Sequence, residues 1–269
     1  MSGTMHQDFS KESLERITTG GLIGSKIHFF ETIDSTNSYA DVLATHGARE
    51  GEVVVADRQT AGRGRLRGRV WHSPPGRNLY TSVILRPPIP PASATGLVFV
   101  AGVAVAELLN GYCPVALKWP NDVLAGGRKI SGILTEMRSK GPEVEFVVVG
   151  IGINVNMEPD DFQEDLRPLS TSLREETSRE VSRLDLTAGL YRLLEQWYRI
   201  FLRDGLAPVR DRWLEYSGMA GQMVEVTDGT VRHRGRCQGI DDEGILLLLD
   251  ENHRNISIRF GDVTIQKDG

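Results

Sequence analysis

Residues 115–153 read VALKWPNDVLAGGRKISGILTEMRSKGPEVEFVVVGIGI, and this stretch decides the fold class. Four segments in it have strand character: Val115–Lys118, Asp122–Ala125, Lys129–Arg138 and Val144–Ile153. Gly126-Gly127 between the second and third is a pair suited to a tight hairpin turn, because both central residues of such a turn need positive φ. Upstream, Lys26–Ile33, Glu52–Ala56 and Leu79–Leu85 read as further strands. Asp34-Ser35-Thr36-Asn37 supplies capping residues for a helix running to about Thr45. The prolines at 87, 88, 90 and 91 end a strand and launch a helix to about Leu109. Apolar positions at helical spacing predict a helix over Leu184–Arg203, and a second covers Val209–Tyr216. Strands gathered first and helices later make this α+β rather than a regular βαβ array.

After Gly218 the texture changes to short strands at close spacing: Met223–Thr227, Val231–Ile240, Ile245–Leu249, Asn255–Phe260 and Val263–Ile265, with turns at Asp228-Gly229, Asp241–Gly244 and Asp250–Asn252. That is the pattern of a small barrel or meander. The organisation is therefore a lead-in over 1–25, a main domain over 26–218 and a small β-domain over 219–269.

Composition bounds the function. The chain has 269 residues and a net charge of −5, which disfavours a general nucleic-acid binder. No run approaches the ~18 uninterrupted apolar residues of a membrane span, and Met1–Arg16 lacks the apolar segment of a secretion signal. Cys113 and Cys237 have no C-x-x-C partner, which fits a reducing cytoplasm and argues against zinc.

Against this acidic background, Arg58–Arg86 holds seven arginines, and no Asp or Glu occurs between Asp57 and Glu107. Its centre is Gly62-Arg63-Gly64-Arg65-Leu66-Arg67-Gly68-Arg69-Val70-Trp71. A guanidinium grips carboxylate or phosphate with a planar fork, so the loop suits an anion; a solvated surface run is the bland alternative. Familiar phosphate signatures are missing. No Gly-Lys dipeptide makes a Walker A loop, and Gly150-Ile151-Gly152-Ile153-Asn154-Val155 begins like a dinucleotide fingerprint but has Val155 in its sixth position.

Four segments, in order and spacing, resemble the biotin–protein ligases. They are Asp34–Asn37; Gln59–Arg65 with Trp71-His72-Ser73-Pro74-Pro75-Gly76-Arg77-Asn78-Leu79-Tyr80; Lys118–Asp122 with Arg128–Leu134; and Gly150–Asn154. The resemblance runs from about Lys26 to the C-terminus. It implies a mixed-sheet catalytic domain of the biotin/lipoate ligase type with a small SH3-like β-barrel. It also implies ATP and biotin as substrates, Mg²⁺ on the phosphates, biotinyl-AMP as intermediate and a lysine of a biotin carboxyl carrier domain as acceptor.

By the same resemblance, Ser35, Thr36 and Asn37 meet the ureido end of biotin. Gln59, Arg63, Gly64 and Arg65 enclose its carboxylate and the phosphate, and Gly132 belongs to the biotin pocket. Lys129, Arg65 and Asp122 carry the chemistry. Arg63, Arg65, Trp71, Lys118, Asn121 and Asn154 face ATP. Read singly, Ser35–Asn37 could simply cap a helix, Asn154 could be a satisfied turn residue, and Trp119-Pro120 could be core packing. The family loop commonly reads G-R-G-R-x-G-R-x-W, and here Leu66-Arg67 lengthens it by one residue. Gln59–Arg65 matches without a gap, which favours Arg65 over Arg67 as the phosphate ligand.

The same reading expects a ligase without specific DNA binding, because only about 25 residues precede the strand leading to Ser35, too few for a winged helix-turn-helix. A homodimer is possible and no membrane partner is expected. Lipoate–protein ligase is the main alternative, and RNA binding through the Arg/Gly loop the weaker one.

Overall fold

The computed structural model describes residues 9–66, 68–227, 229 and 231–265. Arg67, Asp228 of the expected 228–229 turn, and the first eight residues of the lead-in lie outside the described residues. The first helix, α1 (Lys11–Thr18), is capped by Ser10 and buries Leu14 completely. The described end of the lead-in is thus part of the fold, packed on the strand Lys26–Ile33 and the long helix Arg183–Asp204.

β1 (Lys26–Ile33), α2 (Thr36–Thr45), β2 (Glu52–Gln59) and β3 (Leu79–Leu85) follow, then α3 (Pro91–Ala94) and α4 (Leu97–Asn110). β4 (Val115–Lys118), β5 (Asp122–Ala125), β6 (Arg128–Lys140) and β7 (Glu143–Ile153) complete the first sheet. Its order is β1-β2-β3-β7-β6-β5-β4, with β1 and β2 parallel and the other pairs antiparallel. This is the mixed sheet expected. Gly126 and Gly127 have φ of 54° and 78°, so the two-residue hairpin forms where the sequence reading put it. β2 runs three residues past the expected Ala56, because its parallel pairing with β1 continues to Ile33↔Gln59. That extension delivers Gln59 beside the start of α2.

The sheet has two unlike faces. One packs on α4 and on α6 (Arg183–Asp204) and α7 (Ala207–Tyr216), in a core that includes Val83, Val149, Ile151, Ile133, Leu190 and Trp213. Helix α4 is apolar on all sides, as a helix in mid-core must be. The helical stretch Pro91–Asn110 is long and apolar enough to cross a membrane by composition, and 67% of its most apolar window is buried inside this fold. The other face carries a smaller core under α2: Ala40, Ala44, Val54, Ile84, Phe146 and Val148. Side chains alternate along a strand, so β7 gives Val147, Val149, Ile151 and Ile153 to the first core. Phe146, Val148, Gly150 and Gly152 go to the second face. The side chains on that face therefore shrink to nothing toward the C-terminal end of β7.

A short α5 (Leu173–Thr177) precedes α6. Beyond α7, β8 (Met223–Thr227), β9 (Arg232–Ile240), β10 (Leu246–Leu249), β11 (Asn255–Ile258) and β12 (Asp262–Ile265) form a separate antiparallel sheet, ordered β11-β10-β9-β8-β12. This is the small SH3-like unit. It shares the large core through Val224, Val226, Cys237, Leu246 and Leu248. Trp119 is buried and donates from Nε1 to Gly244 O at 3.1 Å, pinning the two sheets together. Of the two readings of Trp119, core packing is what this position does.

Trp213 joins these layers, almost wholly buried and edge-on to Phe99 with centroids 5.8 Å apart. Trp213→Ala is expected to cost about 3–5 kcal/mol of stability, measured by denaturant unfolding. A loss below about 1 kcal/mol would mean that α7 is not part of the core.

Candidate active site

Where the second face of β7 runs out of side chains, a half-open cleft appears, lined by Ser35, Thr36, Asn37, Gln59, Arg63, Gly64, Arg65, Trp71, Tyr80, Asn121, Lys129 and Gly132, and by the β6 and β7 backbone. Its floor is main chain. Gly132 of β6 pairs with Gly152 of β7, and Ser82 of β3 pairs with Gly150. A Cβ on Gly152 would stand 2.6 Å from the Trp71 ring, and one on Gly150 would stand 1.9 Å from Asn37 Oδ1. These glycines exist because two side chains lie directly on the strand. Gly150–Ile153 is the last stretch of strand β7, not the turn of a dinucleotide fingerprint.

One wall is the start of α2. Ser35 is its N-cap and accepts from Ser38 N at 3.4 Å, so the capping reading is correct. Ser35 also lines the cleft, and the two roles coexist. Thr36 donates through both N (2.8 Å) and Oγ1 (3.1 Å) to Gln59 Oε1. Gln59 Nε2 donates to Ser73 Oγ at 3.0 Å, which in turn donates to Trp71 O. Ser82 donates to Asn37 Oδ1 at 2.6 Å and lies 2.8 Å from Thr36 Oγ1. Tyr80 lines the far side. Burial holds its phenol well above its usual pKa, so it stays protonated and donates to Pro74 O.

The arginine loop lies along the opposite side of the cleft. Gly64 N donates to Arg69 O and Trp71 N to Gly62 O, both at 2.9 Å, and Arg63 bridges Val70, so the loop is a small irregular hairpin. It lays the Trp71 indole over the glycine floor. Trp71 Nε1 is buried with no acceptor among the described residues, an orphan donor facing the cleft. Lys129 Nζ sits 5.4 Å from the Trp71 ring centroid, within cation–π range.

Each cation at the mouth carries a protein carboxylate. Arg63 donates from Nη1 and Nη2 to Glu136 (2.8 and 2.6 Å). Arg65 Nη2 donates to Asp262 Oδ1 (2.5 Å) and Gly261 O (2.7 Å), both in the small C-terminal sheet. Lys129 Nζ lies 2.6 Å from Asp122 Oδ1 in an ion pair without aligned hydrogen-bond geometry. Lys118 stands back, 4.0 Å from the other Asp122 oxygen and outside the cleft lining. Asn121 lines the cleft with its Nδ2 donating to Ile133 O.

Asn154 is buried outside the cleft lining. Its Nδ2 donates to Thr171 O at 3.0 Å, and its Oδ1 faces Asn78 Nδ2 at 3.4 Å. Both ends of its amide are engaged inside the protein. Sequence reasoning missed Glu136, Asp262 and Ser82, and it gave Gly150 and Gly152 no role. Only the period-two pattern Gly132-Leu134-Glu136 and Gly150-Gly152 hinted at a polar strand face.

The chain matches profiles of the biotin/lipoate A/B protein ligase family over residues 29–154 and of the biotin protein ligase C-terminal domain over 220–265. It is 38% identical over 230 residues to the biotin–[acetyl-CoA-carboxylase] ligase of Paracoccus denitrificans, covering 83% of this chain and 94% of that one. Identity to the bifunctional ligase/repressor BirA of Bacillus subtilis is also 38%, over 84% of this chain and 70% of the relative. The fold matches the biotin protein ligase of Aquifex aeolicus, solved in complex with biotin and ATP, with a TM-score of 0.77 and 29% identity over 91% of this chain and 100% of that one.

Gly152→Ala should push Trp71 off the floor and raise tryptophan accessibility to acrylamide. The matched control Gly102→Ala, whose new Cβ would meet nothing closer than 3.5 Å, should leave it unchanged. Equal quenching of the two variants would show that the glycine is not what seats Trp71.

Proposed function

Because the chain belongs to the biotin/lipoate A/B protein ligase family, we propose that it is an ATP-dependent biotin–protein ligase that forms biotinyl-5′-AMP and passes biotin to a lysine of a carboxylase carrier domain. The observation that carries this is the cleft itself: a polar wall at one end and three fixed cations at the other, over a floor with no side chains.

In the first step a carboxylate oxygen of biotin bonds to the α-phosphorus of ATP, and the bond to the β-phosphate oxygen breaks to release pyrophosphate. Both reactants are anions, so their repulsion must be offset by groups already in place. Arg65 and Lys129 supply that charge and exchange part of their contact with Asp262 and Asp122 for substrate oxygens. The ureido head of biotin goes to the Ser35–Asn37 wall, where hydroxyl and amide groups already form a network. The free Trp71 Nε1 donates to an oxygen of the bound anion while its ring covers the acyl-phosphate.

In the second step the carrier's lysine amine attacks the acyl carbon. The carbon–oxygen bond to phosphate breaks, AMP leaves, and the amine gives up its proton. Until that happens the mixed anhydride must be kept from water, and a lid of arginine loop plus indole does so.

Among the described residues no cluster of three His, Cys, Asp or Glu could hold a metal. Mg²⁺ bound mainly by phosphate oxygens needs only one or two protein carboxylates, and Asp122 is the one that fits. The ion neutralises triphosphate charge when bound. A catalytic unit over 26–218 with a C-terminal unit over 219–269, a cytoplasmic setting with Cys113 and Cys237 reduced, and homodimerisation along a sheet edge complete the reading.

The deciding assay is pyrophosphate release with biotin and, separately, with lipoate. Release with biotin alone is expected, and release with lipoate alone would overturn the assignment. Arg65→Ala should speed biotinyl-AMP dissociation by about 10-fold or more and Asp262→Ala by a smaller factor, while Arg67→Ala has a mild effect. Equal dissociation rates for the Arg65 and Arg67 variants would move the phosphate contact to the wrong register.

A further inference from the structure

We infer that Glu136, two residues beyond the Arg128–Leu134 segment, is a positioning residue that ties the arginine loop to the wall of the substrate cleft. The inference rests on reading that cleft as the biotin site. Glu136 projects from β6 on the same strand face as Gly132, two alternations further on, so it stands at the edge of the glycine floor. Both its oxygens are engaged. Oε1 accepts from Arg63 Nη2, and Oε2 accepts from Arg63 Nη1 and from Asn37 Nδ2 at 3.0 Å. Asn37 is almost wholly buried and is held in turn by Ser82 and by Leu134 O. An unbroken chain of hydrogen bonds therefore runs from the loop through the cleft wall to the strand behind it: Arg63, Glu136, Asn37, Ser82.

An ordinary exposed ion pair would mean little, since such pairs contribute almost nothing. This one differs in two respects. The Arg63–Glu136 contact is bidentate, which fixes the guanidinium plane. Its carboxylate also shares a buried partner, and Asn37 cannot retreat, because it already lies against the Gly150 backbone. Arg63 is consequently a structural anchor of the lid, and Arg65 and Lys129 are left to meet substrate. Whatever orders Asn37 from the cleft side also orders Glu136 and Arg63. By reciprocity, a seated loop strengthens binding at the wall.

Trypsin, which cuts after the loop arginines, reads the lid directly. With E136Q, cleavage within 63–69 should rise about fivefold or more over wild type, and biotin should protect the loop less than it protects wild type. Dissociation of preformed biotinyl-AMP should accelerate by a similar factor while KM for the carrier domain is unchanged. In a cycle with R63Q, the double variant should be no faster in dissociation than the worse single one. A purely structural role would lower the melting temperature and leave biotin's protection of the folded protein as in wild type. Cleavage and dissociation within about twofold of wild type, or additive effects in the cycle, would overturn the inference. If wild type released no pyrophosphate with biotin, the reading of the cleft would fail, and the ligand-free comparison of wild type with E136Q would still decide the tether.

Discussion

Two side chains, Asn37 and Trp71, must lie flat on the backbone of β7, and that close approach is the constraint from which the site follows. It demands glycine at 150 and 152, two positions apart on one strand face, and at 132 directly across from 152. The sheet around them is ordinary. One face is a continuous apolar core with α4 and α6, and the other begins as a small core under α2. The cleft opens where the second core gives way to main chain. The cleft can be deep and still rigid, because its floor is held by the hydrogen-bond ladder of three adjacent strands.

Charge at the mouth obeys a second economy. An unpaired cation facing a half-buried cleft would lose solvation, so Arg63, Arg65 and Lys129 are each held by a carboxylate in the absence of substrate. Those carboxylates come from three different places: β6, the C-terminal sheet and the β4–β5 corner. The small sheet thus reaches the arginine loop directly. Asp262 receives Arg65 and approaches Arg69 at 3.5 Å, and Trp119 with Gly244 fixes that sheet against the main one.

Most of the architecture could be read from the chain. Strand period, the proline block before α3 and the Gly126-Gly127 pair located the elements, because local chemistry and tertiary structure agree there. The gathering of the motifs was also legible, since Ser35, Thr36, Asn37, Gln59 and Lys129 sit in motifs and all line one cleft. What could not be read was pairing across distance. Arg63 with Glu136 is 73 residues apart and Arg65 with Asp262 is 197, and no local pattern encodes either. Asn154 is a different case. It belongs to a motif, yet its amide is consumed inside the protein, which a motif cannot reveal.

The glycine floor also sets how such an enzyme could be retooled. Pockets are usually enlarged by shortening a side chain, and here the floor has none to shorten. Accommodation of a bulkier biotin analogue would have to come from the ceiling, by trimming Trp71 or the loop, or from the α2 wall. Changes at the ceiling loosen the seal over a hydrolysable anhydride, and changes at the wall disturb the Asn37 network. Broader substrate scope and retention of the intermediate are therefore opposed in this fold, and a variant library aimed at the lid should be screened for both.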